Sequence, residues 1–449
     1  MESFAHNLDG RELILAILQS IHIHTTSRSG AVRHQTIIDQ YTKNATPQYT
    51  QDNCRRVAVV SASQVVLTAT ERVTLGMPAA DAISEEAASR GAKRVFILAS
   101  RHLNENTDEI RRIESALGSR HAATHVGIQP HAPRGDVLKA ANHAREAGAD
   151  MVVTVGGGSV TDAGKILLIC LKHNITALEQ FDDYRVRVEE DGPVVSPVFD
   201  GPDVRAICVP TTLSGGEFNP LSGATDEKIK QKQPYAQREM VPVCVVLDPA
   251  ITVHTPEWLW LSTGVRSVDH ATETLGSFLS NDFCDGIADS ALRLLAAGLP
   301  VVKADPGNLD ARLKCQIGAW QSMIPIIGGV PMGASHAIGH VLGGTCDVPH
   351  GHTSCVMSPY VQAFNLSVNA ERQKRISACL GDARRPASEL LDALIRSLGM
   401  PRSLREVGVR EDQLQLISEY TLEDIWGRTN PRTISSAADV MEILRTAMG

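Results

Sequence analysis

The run Met151-Val152-Val153-Thr154-Val155-Gly156-Gly157-Gly158-Ser159-Val160-Thr161-Asp162-Ala163 decides the fold class. Its β-branched opening reads as a strand buried on both faces. Three glycines then make a turn, and the apolar stretch Ala163 to Leu171 continues as a helix. Without Cβ atoms, backbone amides can approach a pyrophosphate, and the positive end of the following helix favours an anion there. The pattern is neither a GxGxxG fingerprint nor a Walker loop, since no Gly-Lys-Ser/Thr follows. A tight turn capped by Ser159 and Asp162 would account for the same residues without a ligand, so the surrounding sequence has to separate the two readings.

Working outward, Arg94 to Leu98, Arg205 to Pro210 and Val243 to Leu247 are further strand-like runs, and Val137 to Ala147 is helix-like. Strands alternating with helices predict a largely parallel, Rossmann-like sheet covered on both faces. A second loop, Pro210-Thr211-Thr212-Leu213-Ser214-Gly215-Gly216-Glu217, follows a strand in the same way. Hydroxyls and small residues at the C-terminal edge of such a sheet are where open α/β folds bind ligands. Two loops of this kind favour a nucleotide.

After Thr252 the strand signals stop. Helical patterns cover 262–280, 284–299, 309–324, 333–342, 370–380, 387–398 and 411–421, with Pro325 expected to stop the third. The resulting partition is an N-terminal extension over 1–66 with one helix at 12–21, an α/β nucleotide-binding domain over 67–252, and an all-α C-terminal domain over 253–449. The charged, proline-containing segment 182–203 reads as a loop or hairpin insertion.

A length of 449 residues is ample for a large core, and 43% hydrophobic with 21% charged residues is ordinary globular composition. The net charge of −8 and the lack of a basic block argue against a nucleic-acid partner. No apolar run reaches the ~18 to 20 residues of a membrane span. Nine scattered cysteines without a CxxC pair read as thiols of a reducing compartment, and the N-terminus lacks a basic signal-peptide start, so a cytoplasmic enzyme is expected.

Five of the sixteen histidines stand out. His270 lies in a helical run, His336 and His340 share a helix face at i and i+4, and His350 and His352 follow in Pro349-His350-Gly351-His352. Imidazoles at these spacings can converge on a metal or relay a proton.

Four motifs in register then carry a family resemblance. Gly-Gly-Gly-Ser-x-x-Asp from Gly156, Pro-Thr-Thr-x-x-Gly-x-Glu from Pro210, Thr263-Gly264 with His270-Ala271-x-Glu273, and His336-x-x-x-His340-x-Leu342-Gly343 with Pro349-His350-Gly351 resemble the iron-containing alcohol dehydrogenase superfamily. The run Gly343-Gly344-Thr345-x-Asp347-x-Pro349-His350, followed by Pro359-Tyr360-Val361-Gln362-Ala363-Phe364-Asn365, is most similar to its maleylacetate reductase branch.

The resemblance implies the dehydroquinate synthase-like architecture of iron-type alcohol dehydrogenases, often dimeric, and an NAD(P)H-dependent reductase of a small, carboxylate-bearing carbonyl or enone compound. It places Gly156, Gly157, Gly158, Ser159 and Asp162 at the cofactor pyrophosphate. Thr211, Thr212 and Ser214 would follow towards the ribose and nicotinamide, with Lys230 a further candidate. After the first strand the chain reads Ala99-Ser100-Arg101, without the carboxylate that would accept from ribose hydroxyls. Ser100 and Arg101 suit a 2′-phosphate, which favours NADPH over NADH.

Metal-dependent members of the superfamily hold Fe²⁺ or Zn²⁺ with one Asp and three His, which by match are His270, His336 and His350, leaving His340 near the reacting carbon. The Asp position, one turn before His270, is Arg266. Asp269 lies about 100° around the helix from His270, so it does not replace that ligand. A guanidinium there puts a cation where the ion needs an anion. Arg266 is instead expected to polarise a carbonyl or pair with a substrate carboxylate, with His340, or His270 in its place, supplying the proton. Two alternatives stay open: a non-redox dehydratase or isomerase on the same scaffold, and a non-catalytic binding protein.

Overall fold

The computed structural model describes residues 64–188 and 194–449. The extension up to residue 63, including the helix expected at 12–21, lies outside the described residues. The α/β half is a six-stranded parallel sheet in the order β1-β10-β7-β4-β2-β3. Its strands are β1 Arg72–Leu75, β2 Val95–Ala99, β3 His121–Val126, β4 Met151–Gly156, β7 Arg205–Pro210 and β10 Cys244–Leu247. Two antiparallel hairpins stand outside it, β5 Arg187–Val188 with β6 Val194–Val195, and β8 Leu221–Asp226 with β9 Gln231–Ala236.

Alternation along the strands fills two cores. Phe96, Leu98 and Val152 pack on one face with Ile166 and Ile169, while Val95, Ile97, Val153 and Val155 face the other side with Ile83 and Ile113. The helices covering the sheet are α1 Ala79–Ser89, α2 Arg101–Asn106, α3 Glu109–Leu117, α4 Arg134–Glu146 and α5 Gly158–Lys172. β4 lies between β2 and β7 along its whole length, with Val155 opposite both Ala99 and Val209. The glycine turn therefore leaves the middle of the sheet at its C-terminal edge.

The sequence reading missed β1 and β3. β3, His-Ala-Ala-Thr-His-Val, is only half-buried along its length, and β1 is a four-residue edge strand. Edge strands lack the two-sided apolar signal of central ones. The segment 182–203 does carry a hairpin, β5–β6.

The helical half comprises α6 Glu257–Gly276, α7 Asp282–Ala304, α8 Leu309–Ile327, α9 Ala334–Cys346, α10 His350–Cys379, α11 Ala387–Ser397, α12 Leu414–Thr421 and α13 Ala437–Ala447. α6 is its axis: every residue from Trp260 to Gly276 is buried. Pro325 does not stop α8, which runs on to Ile327, and 370–380 is the second part of a 30-residue α10. The two parts meet at Asn369, whose non-helical backbone aims its side-chain Nδ2 at the carbonyl of Gly276, 3.0 Å away, at the end of α6. Among the described residues no helix is long and apolar enough to cross a membrane, and the eight described cysteines are free thiols.

Candidate active site

Gly156, Gly157 and Gly158 make the β4–α5 turn, and the Thr211–Ser214 loop lies against it. Thr211 N donates to Gly156 O at 3.0 Å. A Cβ on Gly157 would lie 3.1 Å from Thr212 Cγ2, and one on Gly156 only 2.9 Å from Val160 Cγ2, so close approach requires both glycines. Thr212 and Ser214 hydroxyls are 3.4 Å apart beside the turn. The structure thus brings together Gly156 to Gly158, Thr211, Thr212 and Ser214. Ser100 reaches the same edge, since its Cβ is 3.3 Å from the Gly156 Cβ position, and exposed Arg101 opens α2 with Nη2 near Gly127 at the end of β3.

The turn is not capped by the side chains expected of it: the N-cap is Gly157. Ser159 Oγ accepts from His131 N at 3.1 Å, and Asp162 faces the β8–β9 hairpin. Its Oδ1 accepts from Ser222 Oγ at 2.9 Å and its Oδ2 from Lys232 Nζ at 2.8 Å. Lys230 stands exposed at the hairpin tip with positive φ, so Lys232 is the lysine the fold places beside α5. Lys165, one turn after Asp162, is fully buried and donates to the carbonyls of Gly216, Asn219 and Leu221 at 2.9, 3.1 and 2.7 Å. It ties the second loop to α5, and burial lowers its pKa.

Across the cleft the histidines form two stacked pairs. His270 from α6 and His336 from α9 are buried, with ring centroids 4.9 Å apart. His340 from α9 and His350 from the start of α10 are exposed and parallel, at 6.1 Å. His340 Nδ1 contacts Asp424 Oδ2 at 2.8 Å. His336 Nδ1 is 2.7 Å from Glu273 Oε2, and Glu273 also accepts from Gly333 N and Ser335 N at 2.9 and 2.8 Å. When Glu273 is ionised it can only accept, so His336 Nδ1 is then the donor and Nε2, which has no partner, carries the lone pair.

Arg266 is buried, and among the described residues its one hydrogen bond runs from Nη1 to Ser354 Oγ at 3.1 Å. Gly339 packs beside it, and a Cβ there would meet Thr353 Oγ1 at 2.9 Å. Burial, its ring neighbour and Arg266 push His270 well below its ordinary value; burial and Arg266 do the same to His336. For His350 the guanidinium is the largest cause. The three imidazoles around Arg266 are therefore neutral. Burial pushes the Asp269 and Glu273 carboxyls up, each to about 7.

The expected ligand set His270, His336 and His350 is not gathered to a common point. Among the described residues, the one group of three or more such side chains with ligand atoms within 4.8 Å of one another is Asp269, Glu273 and His336. Within that group Asp269 Oδ2 accepts from Ser335 Oγ at 2.7 Å and Glu273 holds the start of α9, while Asp269 Oδ1 and His336 Nε2 are buried without a partner. Sequence reasoning gave Lys165, Lys232, Ser354 and Asp424 no role. Lys165 and Lys232 lie near the glycine and hydroxyl motifs and could have been weighed. Ser354 and Asp424 carried no local signal.

The profile of iron-containing alcohol dehydrogenases matches residues 70–249, and that of the C-terminal domain of the same family matches 260–448. The chain belongs to the iron-containing alcohol dehydrogenase family. It is 32% identical over 409 residues to Dehydrogenase FUM7 of Gibberella moniliformis, covering 84% of this chain and 95% of that one. It is 30% identical over 378 residues to Maleylacetate reductase 2 of Cupriavidus pinatubonensis, covering 84% and 94%. The crystal structure of maleylacetate reductase from Agrobacterium tumefaciens matches with TM-score 0.73 and 26% identity over 86% of this chain and 99% of that one. The protein is an NAD(P)-dependent oxidoreductase of the maleylacetate reductase-like kind.

Proposed function

We propose that the chain reduces the carbonyl or enone of a small carboxylate-bearing compound with NADPH or NADH. The observation that carries this is the pairing of a glycine turn at the sheet edge, opening a helix, with the exposed His340 held by Asp424 on the helical half. Arg101, with no carboxylate beside it at the end of β2, favours NADPH.

The amides of Gly157 and Gly158 and the start of α5 hold the pyrophosphate, and Thr212 and Ser214 meet the ribose side. Hydride passes from the nicotinamide to the substrate carbon while the π electrons move to the carbonyl oxygen. In an enone the hydride enters the conjugated carbon, and the electrons reach the same oxygen. His340, oriented by Asp424, supplies the proton.

The family's name implies iron, and the donor set here does not fit a divalent cation. The anionic ligand is replaced by Arg266, and the three imidazoles do not converge. The test is to supply NADPH or NADH with a series of keto acids that includes maleylacetate and to follow loss of the reduced nicotinamide. Substrate-dependent oxidation is expected; nucleotide binding without oxidation by any carbonyl compound would overturn the reading.

A further inference from the structure

We propose that the Arg266 guanidinium takes the place of a metal ion in this chain, donating to the substrate's carbonyl oxygen as hydride arrives. The proposal rests on the reductase reading above and commits Arg266 to the oxygen, not to a substrate carboxylate.

Arg266 is buried on α6, one turn before His270, yet among the described residues it makes no ion pair. Asp269 accepts from Ser335 through Oδ2 while its Oδ1 is buried without a partner, and Glu273 holds two backbone amides and His336; neither carboxyl hydrogen-bonds Arg266. Among the described residues its one hydrogen bond uses Nη1, and none of its nitrogens is both sealed and partnerless, so its other N–H groups keep some access to solvent. A guanidinium that gave up water without gaining a carboxylate partner has unspent donors, and a developing oxyanion is the acceptor that would use them. The neutral imidazoles beside it add no competing charge, and the unpartnered Nε2 of His336 is the only one of them left bare inside the protein.

The balance is complete within the proposal. The C–H bond of the reduced nicotinamide breaks and a C–H bond forms on the substrate. The carbonyl π pair localises on oxygen, Arg266 stabilises that charge, and the oxygen takes a proton from His340. The nicotinamide leaves oxidised.

The test begins with elemental analysis of the purified full chain before and after dialysis against EDTA. We expect metal far below stoichiometric and the same rate of NADPH oxidation in both samples. Arg266→Met should lower kcat about 100-fold or more, with KM changed less than about threefold, as for loss of an oxyanion donor; Arg266→Lys should recover part of the loss.

Metal near one per chain in the untreated protein, with activity lost on chelation, would overturn the proposal. So would an Arg266→Met variant whose KM rises while kcat holds, since that marks a carboxylate anchor. If Arg266→Met fails to fold, seen as loss of NADPH binding, the metal content of the native chain still decides. If no carbonyl compound oxidises NADPH, the reductase reading fails, and the metal content separately reports whether Arg266 displaces an ion.

Discussion

At the sheet edge, the glycine turn and the second loop present backbone amides and small hydroxyls, and the charged residues are anchors beside them: Lys165 under the second loop and Asp162 against the β8–β9 hairpin. On the helical wall the order is reversed. Arg266, His336 and His340 bring their own ionisable groups, with Ser354, Glu273 and Asp424 as their respective partners. A pyrophosphate needs a fixed shape of donors, which backbone supplies once the chain is pinned. A hydride acceptor needs groups that move a proton or meet a developing charge, which only side chains supply. The two walls should therefore fail differently when their anchors are removed.

Lys165→Met should have the largest effect. It strands three carbonyls that a fully buried ammonium satisfies, and unpaired buried acceptors cost about 1–3 kcal/mol each before relief of the ammonium's own burial is set against them. A net loss of about 3 kcal/mol in urea unfolding is expected. NADPH affinity should fall together with stability, because the loop carrying Thr211 to Ser214 is tied to this residue. Unchanged affinity in a destabilised variant would show that the cradle holds its shape without the anchor.

Glu273→Gln comes next. The carboxylate accepts from Gly333 N, Ser335 N and His336 Nδ1, and an amide group must turn its NH₂ towards one of these donors. A loss of about 2 kcal/mol is expected from one mismatched buried pair. Unlike Lys165→Met, it should spare NADPH binding and lower kcat, since it releases the His336 ring. Equal damage to binding and turnover would break the division between the walls.

How legible each wall was follows from the same difference. The glycine turn and the hydroxyl loop are each contiguous, so Gly156 to Gly158 and Thr211 to Ser214 could be read in place. The helical wall is assembled from α6, α9, α10 and a short turn near Asp424. The i, i+4 spacing showed His336 and His340 on one helix, and their stacking on His270 and His350 depends on helix packing that no local pattern encodes. Asp424 lies 84 residues from the histidine it orients. The central strands were legible because both their faces are apolar, whereas β1 and β3 at the edges were not. Lys230 was read for Lys232 because a hairpin's register, not its composition, decides which lysine points at α5.

Asp162→Asn should have the smallest effect, and it is the sharpest test of what that residue does. The resemblance placed Asp162 at the cofactor, whereas both its oxygens are turned to the hairpin, one to Ser222 and the other to Lys232. Burial raises its pKa, but Lys232 and Lys165 more than offset this and hold it below the ordinary carboxylate value. A lowered folded-state value contributes stability above the unfolded value, about 4, that is lost as pH falls through the folded one. Across neutral pH the anchor is therefore fully engaged, and its contribution to pH dependence is confined to acid unfolding. Asn keeps an acceptor for Ser222 and gives up the ion pair to the half-exposed Lys232, worth less than about 1 kcal/mol, together with the longer 3.8 Å pair to buried Lys165. Acid unfolding followed with and without the substitution should show curves that differ slightly at pH 7 and converge at the acid end. If Asp162 only anchors, NADPH affinity should change by less than about threefold, the equivalent of well under 1 kcal/mol. A tenfold or greater loss of affinity with stability intact would return the residue to the cofactor and extend side-chain recognition onto the sheet wall.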